Sequence, residues 1–378
     1  MKLRKTLLCA GLAFAAVDAV AAGSTYIYVA NVNKSVHAFA VDDTTGALTP
    51  VPGGLSTADG SPSTVTSTPD GRNVYTVSPA TNDVSGFRAN PLTGTLAAIA
   101  GSPFPFPSPQ SRPIGMAVHP GGRLAYVSAA FGELWKYGID RVTGALIASG
   151  NPARVGISAS LGIDPTGRFL YAANTSLTRP LPFPGVTGDI SAFTIDPATG
   201  ALAEIPGSPF PSVGGPQRLT MEPSGRNLLI SNTQSRDIRA YAIDKVSGRL
   251  SRVGAAVDTG GGNFDIRFEP GGRFVYVTFG ERQRISVYAF EPLTFTGISL
   301  RKVQDVSTNG ASTFLGIDAG GKFLFVTLLG RASAIATYSI DAQTGLLRLA
   351  TAPVVVDTDT GVIGMAVTRP QVFAITPN

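Results

Sequence analysis

Few side chains in this 378-residue chain could carry acid–base or nucleophilic chemistry. The sequence holds two histidines, His37 and His119, and one cysteine, Cys9. His37 alternates with apolar neighbours and His119 precedes a glycine-rich turn, so we expect both to be structural. Neither a Gly-x-Ser-x-Gly nucleophile motif nor a glycine-rich phosphate loop before a helix is present. The chemistry that remains is proton transfer by carboxylates and anion binding by arginine.

Many of the acidic residues fall in a turn that recurs seven times. Each copy has an aromatic residue, an acidic or amide residue three positions later, and then Thr or Ser followed by Gly. The copies are Phe39/Asp42/Gly46, Phe87/Asn90/Gly94, Tyr137/Asp140/Gly144, Phe193/Asp196/Gly200, Tyr241/Asp244/Gly248, Tyr288/Glu291/Gly297 and Tyr338/Asp341/Gly345. The side-chain oxygen can accept backbone N–H groups two or three residues on, and the glycine can adopt a positive φ. We therefore interpret these acidic residues as turn residues and not as catalytic groups.

A second motif, Pro or Ala followed by x-Gly and a basic residue, alternates with the first. It lies between two apolar, β-rich runs, which predicts a tight hairpin. The basic residues are Arg72, Arg123, Arg168, Arg226, Arg273 and Lys322. One basic residue per repeat predicts a solvated rim and not a nucleic-acid-binding patch.

The repeat spacing predicts the fold. Successive glycines of the first motif are 48, 50, 56, 48, 49 and 48 residues apart, the size of a four-stranded propeller blade. The 44 Gly and 28 Pro residues disfavour helices, because these residues cost roughly 1 and 3 kcal/mol inside one. We predict an all-β, seven-bladed β-propeller of four-stranded antiparallel blades. Residues 26–30 read as a second strand without a first, so we expect the C-terminal residues 364–368 to pair into the first blade and close the ring.

The N-terminus predicts export. Residues 1–22 combine a basic start, an apolar run over 7–17 and an Ala19-Val20-Ala21 cleavage site, which is typical of a signal peptide. We expect a single propeller domain over 23–378, periplasmic or secreted, with no membrane insertion after cleavage. Cleavage removes Cys9, so the mature chain would hold no disulfide and no His/Cys zinc site. Cleavage also removes Lys2, Arg4, Lys5 and Asp18, which lowers the formal charge from +5 to +3, too small by itself to indicate a nucleic-acid or membrane partner.

Three strand segments and two kinds of loop resemble a known family. Residues 26–31, 169–174 and 273–278 are similar to the strand signature of YVTN-type propellers. The Asp-x-x-Thr-Gly-x-Leu turns and the Gly-Ser-Pro-Phe-Pro stretches at 101–105 and 207–211 resemble the lactonase branch. That branch includes bacterial 6-phosphogluconolactonases and fungal carboxymuconate-lactonizing enzymes. The resemblance implies the propeller fold and the opening or closing of a small lactone at the central channel.

The family's acting residues do not recur at the matched positions. The family uses a His entering the third blade, an Arg in Gly-Pro-Arg-His, a Glu after a strand ending in Asn, and an Arg in Ser-Asn-Arg. Here the matched segments place Ile114 at the first position, and then read Gly215-Pro216-Gln217-Arg218, Asn232-Thr233 and Thr278-Phe279-Gly280. The resemblance therefore leaves a shifted set of ligand-binding candidates, namely Arg112, Gln217, Arg218, Asn232 and Arg282. Asp265, at the start of a predicted inner strand, is the one candidate base.

Three functions follow as hypotheses. The first is an enzyme that hydrolyses or isomerises a small lactone or sugar acid at the channel. The second is a non-catalytic propeller that binds a small molecule, a carbohydrate-like ligand or a protein. The third, less favoured, is a nucleic-acid-binding YVTN-type propeller. We expect no cofactor, no metal and a monomer. The Pro-rich residues 175–188 predict either a stiff excursion or a partial lid over the channel.

Overall fold

The computed structural model describes residues 24–58, 60–158, 160–175, 188–212, 214–293, 297–357 and 361–369. Within these ranges every regular element is a β-strand. The expected signal peptide and most of the Pro-rich segment 175–188 lie outside the described residues.

The strands follow one another blade by blade. The first three blades contain β1 (Thr25–Asn31), β2 (Ser35–Val41) and β3 (Leu48–Thr57); β4 (Thr64–Ser67), β5 (Asn73–Ser78), β6 (Asp83–Ala89), β7 (Leu96–Ala98) and β8 (Phe104–Pro105); and β9 (Pro113–Val118), β10 (Leu124–Ala129), β11 (Glu133–Ile139) and β12 (Leu146–Arg154).

The remaining blades repeat this order. Blades 4 and 5 contain β13 (Ser160–Ile163), β14 (Phe169–Asn174), β15 (Asp189–Ile195), β16 (Leu202–Glu204) and β17 (Phe210–Pro211); and β18 (Pro216–Met221), β19 (Asn227–Asn232), β20 (Asp237–Ile243) and β21 (Leu250–Asp258). Blades 6 and 7 contain β22 (Ile266–Phe268), β23 (Phe274–Phe279), β24 (Arg284–Leu293) and β25 (Gly297–Ser307); and β26 (Ala311–Ile317), β27 (Phe323–Leu329), β28 (Ser333–Ile340), β29 (Leu347–Leu349) and β30 (Val354–Asp357). The chain then enters β31 (Val362–Thr368).

These strands form seven antiparallel sheets, which confirms the predicted propeller. Six sheets have four consecutive strands, and β8, β17 and β30 add short pairings to the third strand of their blades. The seventh sheet has the order β3-β2-β1-β31. Because β31 pairs antiparallel with β1, Tyr26 opposite Thr368, the C-terminal strand supplies the inner strand of blade 1 and closes the ring as predicted.

The core lies between the blades. The buried apolar residues of the described chain fall into seven clusters, and each cluster spans one junction between neighbouring blades. The second strands are buried along their whole length in β5, β14 and β23. Burial on both faces explains why these strands read as continuous apolar runs.

The acidic turn is built as the sequence predicts. In blade 3 the Oδ1 atom of Asp140 accepts hydrogen bonds from the backbone N–H groups of Val142 (3.0 Å) and Thr143 (2.7 Å). Gly144 follows with φ 78°. The N–H and hydroxyl of Thr143 hold the pKa of Asp140 below its ordinary value. Turns of the same kind begin at Asp42, Asn90, Asp196, Asp244 and Asp341.

These carboxylates predict a specific acid sensitivity. Because their folded-state pKa values lie below the unfolded value of about 3.9, their stabilisation is complete above that pH and is lost as pH falls through the folded-state pKa. In Asn90 the amide oxygen accepts the same two N–H groups without titrating. We expect acidification to lower the melting temperature of the triple variant Asp140→Asn/Asp196→Asn/Asp244→Asn less than that of the wild type. Circular dichroism melts at a series of pH values measure this difference. An unchanged acid dependence would contradict this assignment.

Blade 6 departs from the predicted turn. Glu291 lies inside the long strand β24, where it pairs with Ser299 of β25 and forms an exposed ion pair with Arg301 (3.5 Å). The interpretation of Glu291 as a turn residue is therefore wrong. The physical reason is the longer spacing of this copy, since two extra residues let the β24–β25 hairpin extend past the position where the other blades turn.

A tyrosine of the second strand connects neighbouring blades. In blade 4 the hydroxyl of Tyr171 donates to the carbonyl oxygen of Gly248 in the turn of blade 5 (2.8 Å). The same bond is made by Tyr28, Tyr75, Tyr126 and Tyr276 to Gly94, Gly144, Gly200 and Gly345. Leu229 of blade 5 and Phe325 of blade 7 stand at the corresponding strand positions. The tyrosine is thus replaced where the next blade carries the extended hairpin and where the ring closes.

Removing one such bond predicts a measurable loss of stability. Tyr171→Phe would leave the buried carbonyl of Gly248 without this donor, and we expect about 1–2 kcal/mol less free energy of unfolding in urea titrations. Tyr137 is the matched control, because its buried hydroxyl has no hydrogen-bond partner among the described residues. Tyr137→Phe should be neutral or stabilising. Equal losses in both variants would show that the bond to Gly248 contributes nothing specific.

The two histidines occupy structural positions. His119 lies in the hairpin between β9 and β10, where Nδ1 accepts from Gly121 N–H (2.9 Å) and Nε2 contacts the carbonyl oxygen of Gly167 in the next blade (3.0 Å). His37 on β2 contacts Asn31 and Ser35 through Nε2. Burial lowers the pKa of His37, and Asp357 partly opposes this.

Candidate functional site

A cavity of about 280 Å³ lies on the axis of the propeller and is the candidate site. All seven inner strands, or the residues just before them, contribute to its wall. The lining residues are Thr64–Thr66 with Met116–Val118, then Ser160, Leu161, Ile163, Arg218, Leu219, Asp265, Arg267, Phe314, Gly364 and Met365. We call this space the upper cavity, because its polar residues lie near the starts of the inner strands. Most of the surface that faces this cavity is polar, and among its polar groups the charged ones determine what it can bind.

Arg218 brings one guanidinium group to this wall from β18. Its charged head lies 5.7 Å from the ring centroid of Phe314, which itself packs edge-to-face on Phe264 (5.2 Å). Burial lowers the pKa of Arg218, the nearby Asp265 raises it, and Arg267 lowers it further. Arginine remains protonated at neutral pH despite such shifts, so the cavity holds a permanent, partly desolvated cation.

Asp265 is a fully engaged carboxylate. The residue is 2% exposed. Its Oδ1 accepts from the N–H of Ile266 (2.9 Å) and its Oδ2 from the N–H of Leu315 in blade 7 (3.0 Å). The Nε of Arg267 lies 3.6 Å from Oδ2. Asp265 therefore links two inner strands and fixes an arginine, and few of its lone pairs remain for a ligand or a proton.

Arg267 is the second cation of the site. It lies on β22 between the buried residues Ile266 and Phe268, and its side chain is 51% exposed. Arg267 also lines a further space of about 350 Å³, which lies near the ends of the inner strands and includes Met221, Pro223 and Glu269. The guanidinium group thus stands at the boundary between the two halves of the channel.

The charges of the upper cavity favour an anion. Two guanidinium groups face one carboxylate, and that carboxylate already accepts two backbone N–H groups. Thr64 and Thr66 of β4 add hydroxyl groups on the same wall. Such a site can bind a carboxylate, or stabilise the oxygen of a polarised carbonyl as negative charge develops on it.

The structure places two of the six predicted site residues in the cavity, Asp265 and Arg218. Asn232 is completely buried, and its amide donates to Asp237 (2.7 Å) and accepts from Ser212 (3.3 Å). Gln217, next to Arg218 on β18, does not line the cavity. The remaining two predicted residues are exposed, Arg112 before β9 and Arg282 between β23 and β24.

Sequence reasoning missed Arg267 and Phe314. A signal for Arg267 exists, since it is two residues from Asp265, and residues two apart on a strand face the same side. Phe314 had no comparable signal, because its contact with Arg218 joins blade 7 to blade 5 across the channel.

Two further properties concern the described residues alone. None of their histidines, cysteines or acidic residues form a group of three or more that could hold a metal ion. They also contain no helix with the length and apolar character needed to cross a membrane.

Comparison with known proteins gives a family match. A family model described as lactonase, 7-bladed β-propeller, matches residues 146–264 and 261–363, more than half of the chain. A curated 6-phosphogluconolactonase of Pectobacterium carotovorum is 26% identical over 201 residues, which cover 50% of this chain and 55% of that protein. The match thus spans about half the length of the curated relative.

Solved structures share the fold over nearly the whole chain. A Bacteroides uniformis protein, provisionally described as a 6-phosphogluconolactonase, superposes with a TM-score of 0.75 at 20% identity, covering 92% of this chain and all of its own. The periplasmic gluconolactonase of Pseudomonas aeruginosa superposes with a TM-score of 0.69 at 19% identity, covering 90% of this chain and 99% of its own. At these identities the likeness shows the fold alone.

Proposed function

The chain belongs to the lactonase family of seven-bladed β-propellers, and on this basis we propose that it opens a small sugar lactone in the upper cavity. The observation that supports this is the convergence of Arg218, Arg267 and Asp265 in a cavity formed by all seven inner strands. The names of the relatives, a 6-phosphogluconolactonase and a gluconolactonase, suggest the substrate class.

The proposed reaction needs no histidine. Water adds to the carbonyl carbon of the lactone, the ring C–O bond breaks, and the ring oxygen takes a proton and becomes a hydroxyl group. The product is a hydroxy acid, which releases one proton to solvent at neutral pH. Arg218 and Arg267 stabilise the negative charge that develops on the former carbonyl oxygen, a contribution that is often the largest in acyl transfer.

Asp265 acts in this proposal by positioning Arg267. Both of its oxygens accept backbone N–H groups, and the ion pair with Arg267 sets the direction of that side chain. A carboxylate that is 2% exposed and engaged in this way is a poor general base.

The test is proton release from lactones by the purified mature protein. Glucono-1,5-lactone serves as the neutral substrate and 6-phosphogluconolactone as the anionic one, each compared with its spontaneous opening. The proposal expects saturable acceleration with at least one of them. If both open at the spontaneous rate but bind saturably, the protein is the non-catalytic binding module that the sequence also suggested.

We further propose that the protein is exported and acts in the periplasm. Support comes from the signal-peptide pattern of residues 1–22 and from the periplasmic gluconolactonase among the structural neighbours. N-terminal sequencing of protein from a periplasmic extract should begin at residue 22 or 23. An unprocessed protein confined to the cytoplasm would overturn this part.

A further inference from the structure

A second charged cavity lies on the face opposite the starts of the inner strands, between blades 2 and 3. It has a volume of about 430 Å³ and is formed by three turns: the hairpin before β5, the hairpin before β10 and the turn after β11. Each turn contributes one arginine, namely Arg72, Arg123 and Arg141. We call this space the interblade cleft. A rim with one basic residue per blade would not bring three arginines to one cleft.

Two arginines at the equivalent hairpin position in other blades bond to the next blade. Arg168 of blade 4 donates to the carbonyl oxygen of Lys245 in blade 5 (3.1 Å), and Arg273 of blade 6 donates to that of Ala342 in blade 7 (2.5 Å). At the junction of blades 2 and 3 a carbonyl of the turn in blade 3, that of Val142, accepts from Arg88 of β6.

Arg123 and Arg141 are exposed, and within the described residues their guanidinium groups make no hydrogen bond or ion pair. The carboxylates at the cleft are already used, because Asp70 accepts from the Arg72 N–H (3.1 Å) and Asp140 accepts from two backbone N–H groups. Three guanidinium groups against these two carboxylates leave an excess of positive charge, and the donors of Arg123 and Arg141 have no protein partner among the described residues.

The rim of the cleft is open to a ligand. The hairpin between β9 and β10 carries Gly121 and Gly122, and a Cβ at Gly122 would meet only Pro69, at 3.8 Å. The backbone there can therefore approach a bound group closely. The free volume exceeds what a single tetrahedral ion fills, so the cleft can also hold part of the molecule that carries the charge.

We propose that the interblade cleft binds a phosphoryl group. Arginine presents a planar fork of donors that matches phosphate oxygens in a bidentate way, and the forks of Arg123 and Arg141 have no protein partner in the part of the chain that the structure describes. The site lies away from the upper cavity, so the proposal does not depend on lactone opening. The phosphoryl group could come from a soluble phosphate compound or from a lipid headgroup, and the chemistry that recognises it is the same.

The experiment is a calorimetric titration of the mature protein with inorganic pyrophosphate and, separately, with phosphatidylcholine vesicles with and without phosphatidic acid. We expect saturable binding that weakens with salt. Arg123→Gln/Arg141→Gln should weaken it at least about tenfold, the effect of losing about 1.4 kcal/mol of binding free energy. Binding of pyrophosphate identifies a soluble source, and binding only of acidic vesicles identifies a lipid source.

The matched control is Arg226→Gln, since Arg226 is the exposed basic residue of the same hairpin in blade 5 and does not line the cleft. It should bind both probes like the wild type. The proposal is overturned if neither probe binds, or if the Arg123/Arg141 double variant binds as tightly as the wild type. Thermal melts of all variants show whether a loss of binding reflects a loss of folding.

Discussion

Arg267→Gln is expected to lower kcat/KM for lactone opening by about 10²–10³-fold, the usual effect of removing one donor from an oxyanion site. Arg267 presents a half-exposed guanidinium group to the upper cavity and is held by Asp265 at 3.6 Å. Glutamine keeps a donor of similar reach but removes the charge. Since the stabilised charge develops in the transition state, the loss should appear mainly in kcat, with KM changing less. The measurement is steady-state proton release.

Arg282→Gln is the control for this experiment. Arg282 was an equally good candidate by sequence, but it is exposed between β23 and β24 and does not line the cavity. Its removal should leave kcat/KM within about twofold of the wild type, as expected of a surface substitution. If Arg282→Gln abolishes the activity and Arg267→Gln does not, the active site is at the loop face and not in the upper cavity.

Gly46→Ala is expected to lower the free energy of unfolding by about 2–5 kcal/mol. Gly46 ends the turn of blade 1 with φ 74°, which costs other residues roughly 1–2 kcal/mol. A Cβ there would lie 2.6 Å from Cδ1 of Phe323 and 2.9 Å from Cγ2 of Thr337, both in blade 7, so overpacking adds about 1–3 kcal/mol. Phe325 stands at this junction in place of the tyrosine that bonds to the next blade elsewhere. Apolar packing therefore contributes a larger share of the stability of the contact between the first and last blades.

Gly53→Ala separates the two contributions. Gly53 lies on β3 of the same blade with φ 67°, and a Cβ there would meet nothing within 4 Å. The free energy of unfolding that Gly53→Ala loses in urea titrations should therefore come from the backbone conformation alone, about 1–2 kcal/mol. Equal losses at Gly46 and Gly53 would mean that the contact with Phe323 relaxes without cost, and that the seam between blades 7 and 1 is loosely packed.

The fold could be predicted in detail because its information is local and repeated. The turn at Asp140 is specified by a side chain that bonds its own neighbours and by a glycine that tolerates positive φ. Six such copies at a blade-sized spacing leave few alternatives to a ring. The exception, Glu291, has the same physical basis, since two extra residues between the aromatic residue and the glycine change the local hydrogen-bonding pattern into an extended hairpin.

The candidate site could be predicted only in part. Asp265 and Arg218 could be inferred because each lies at the start of a predicted inner strand, and the sequence alone is enough to place that position at the channel. Asn232, by contrast, has the right position along its strand, but its amide is held by Asp237 and Ser212. Whether a polar side chain faces a ligand or a neighbouring blade depends on contacts that a repeat pattern does not contain.

The sequence by itself determined the number of blades, the turn chemistry and the closure of the ring by the C-terminal strand, since these depend on residues a few positions apart or on a repeated spacing. Only the tertiary structure decided which charges meet. Arg218 reaches Phe314, Asp265 links blade 6 to blade 7, and three arginines from separate turns share one cleft. Each of these contacts joins residues far apart in sequence, and the curvature of the closed ring sets the distances between them.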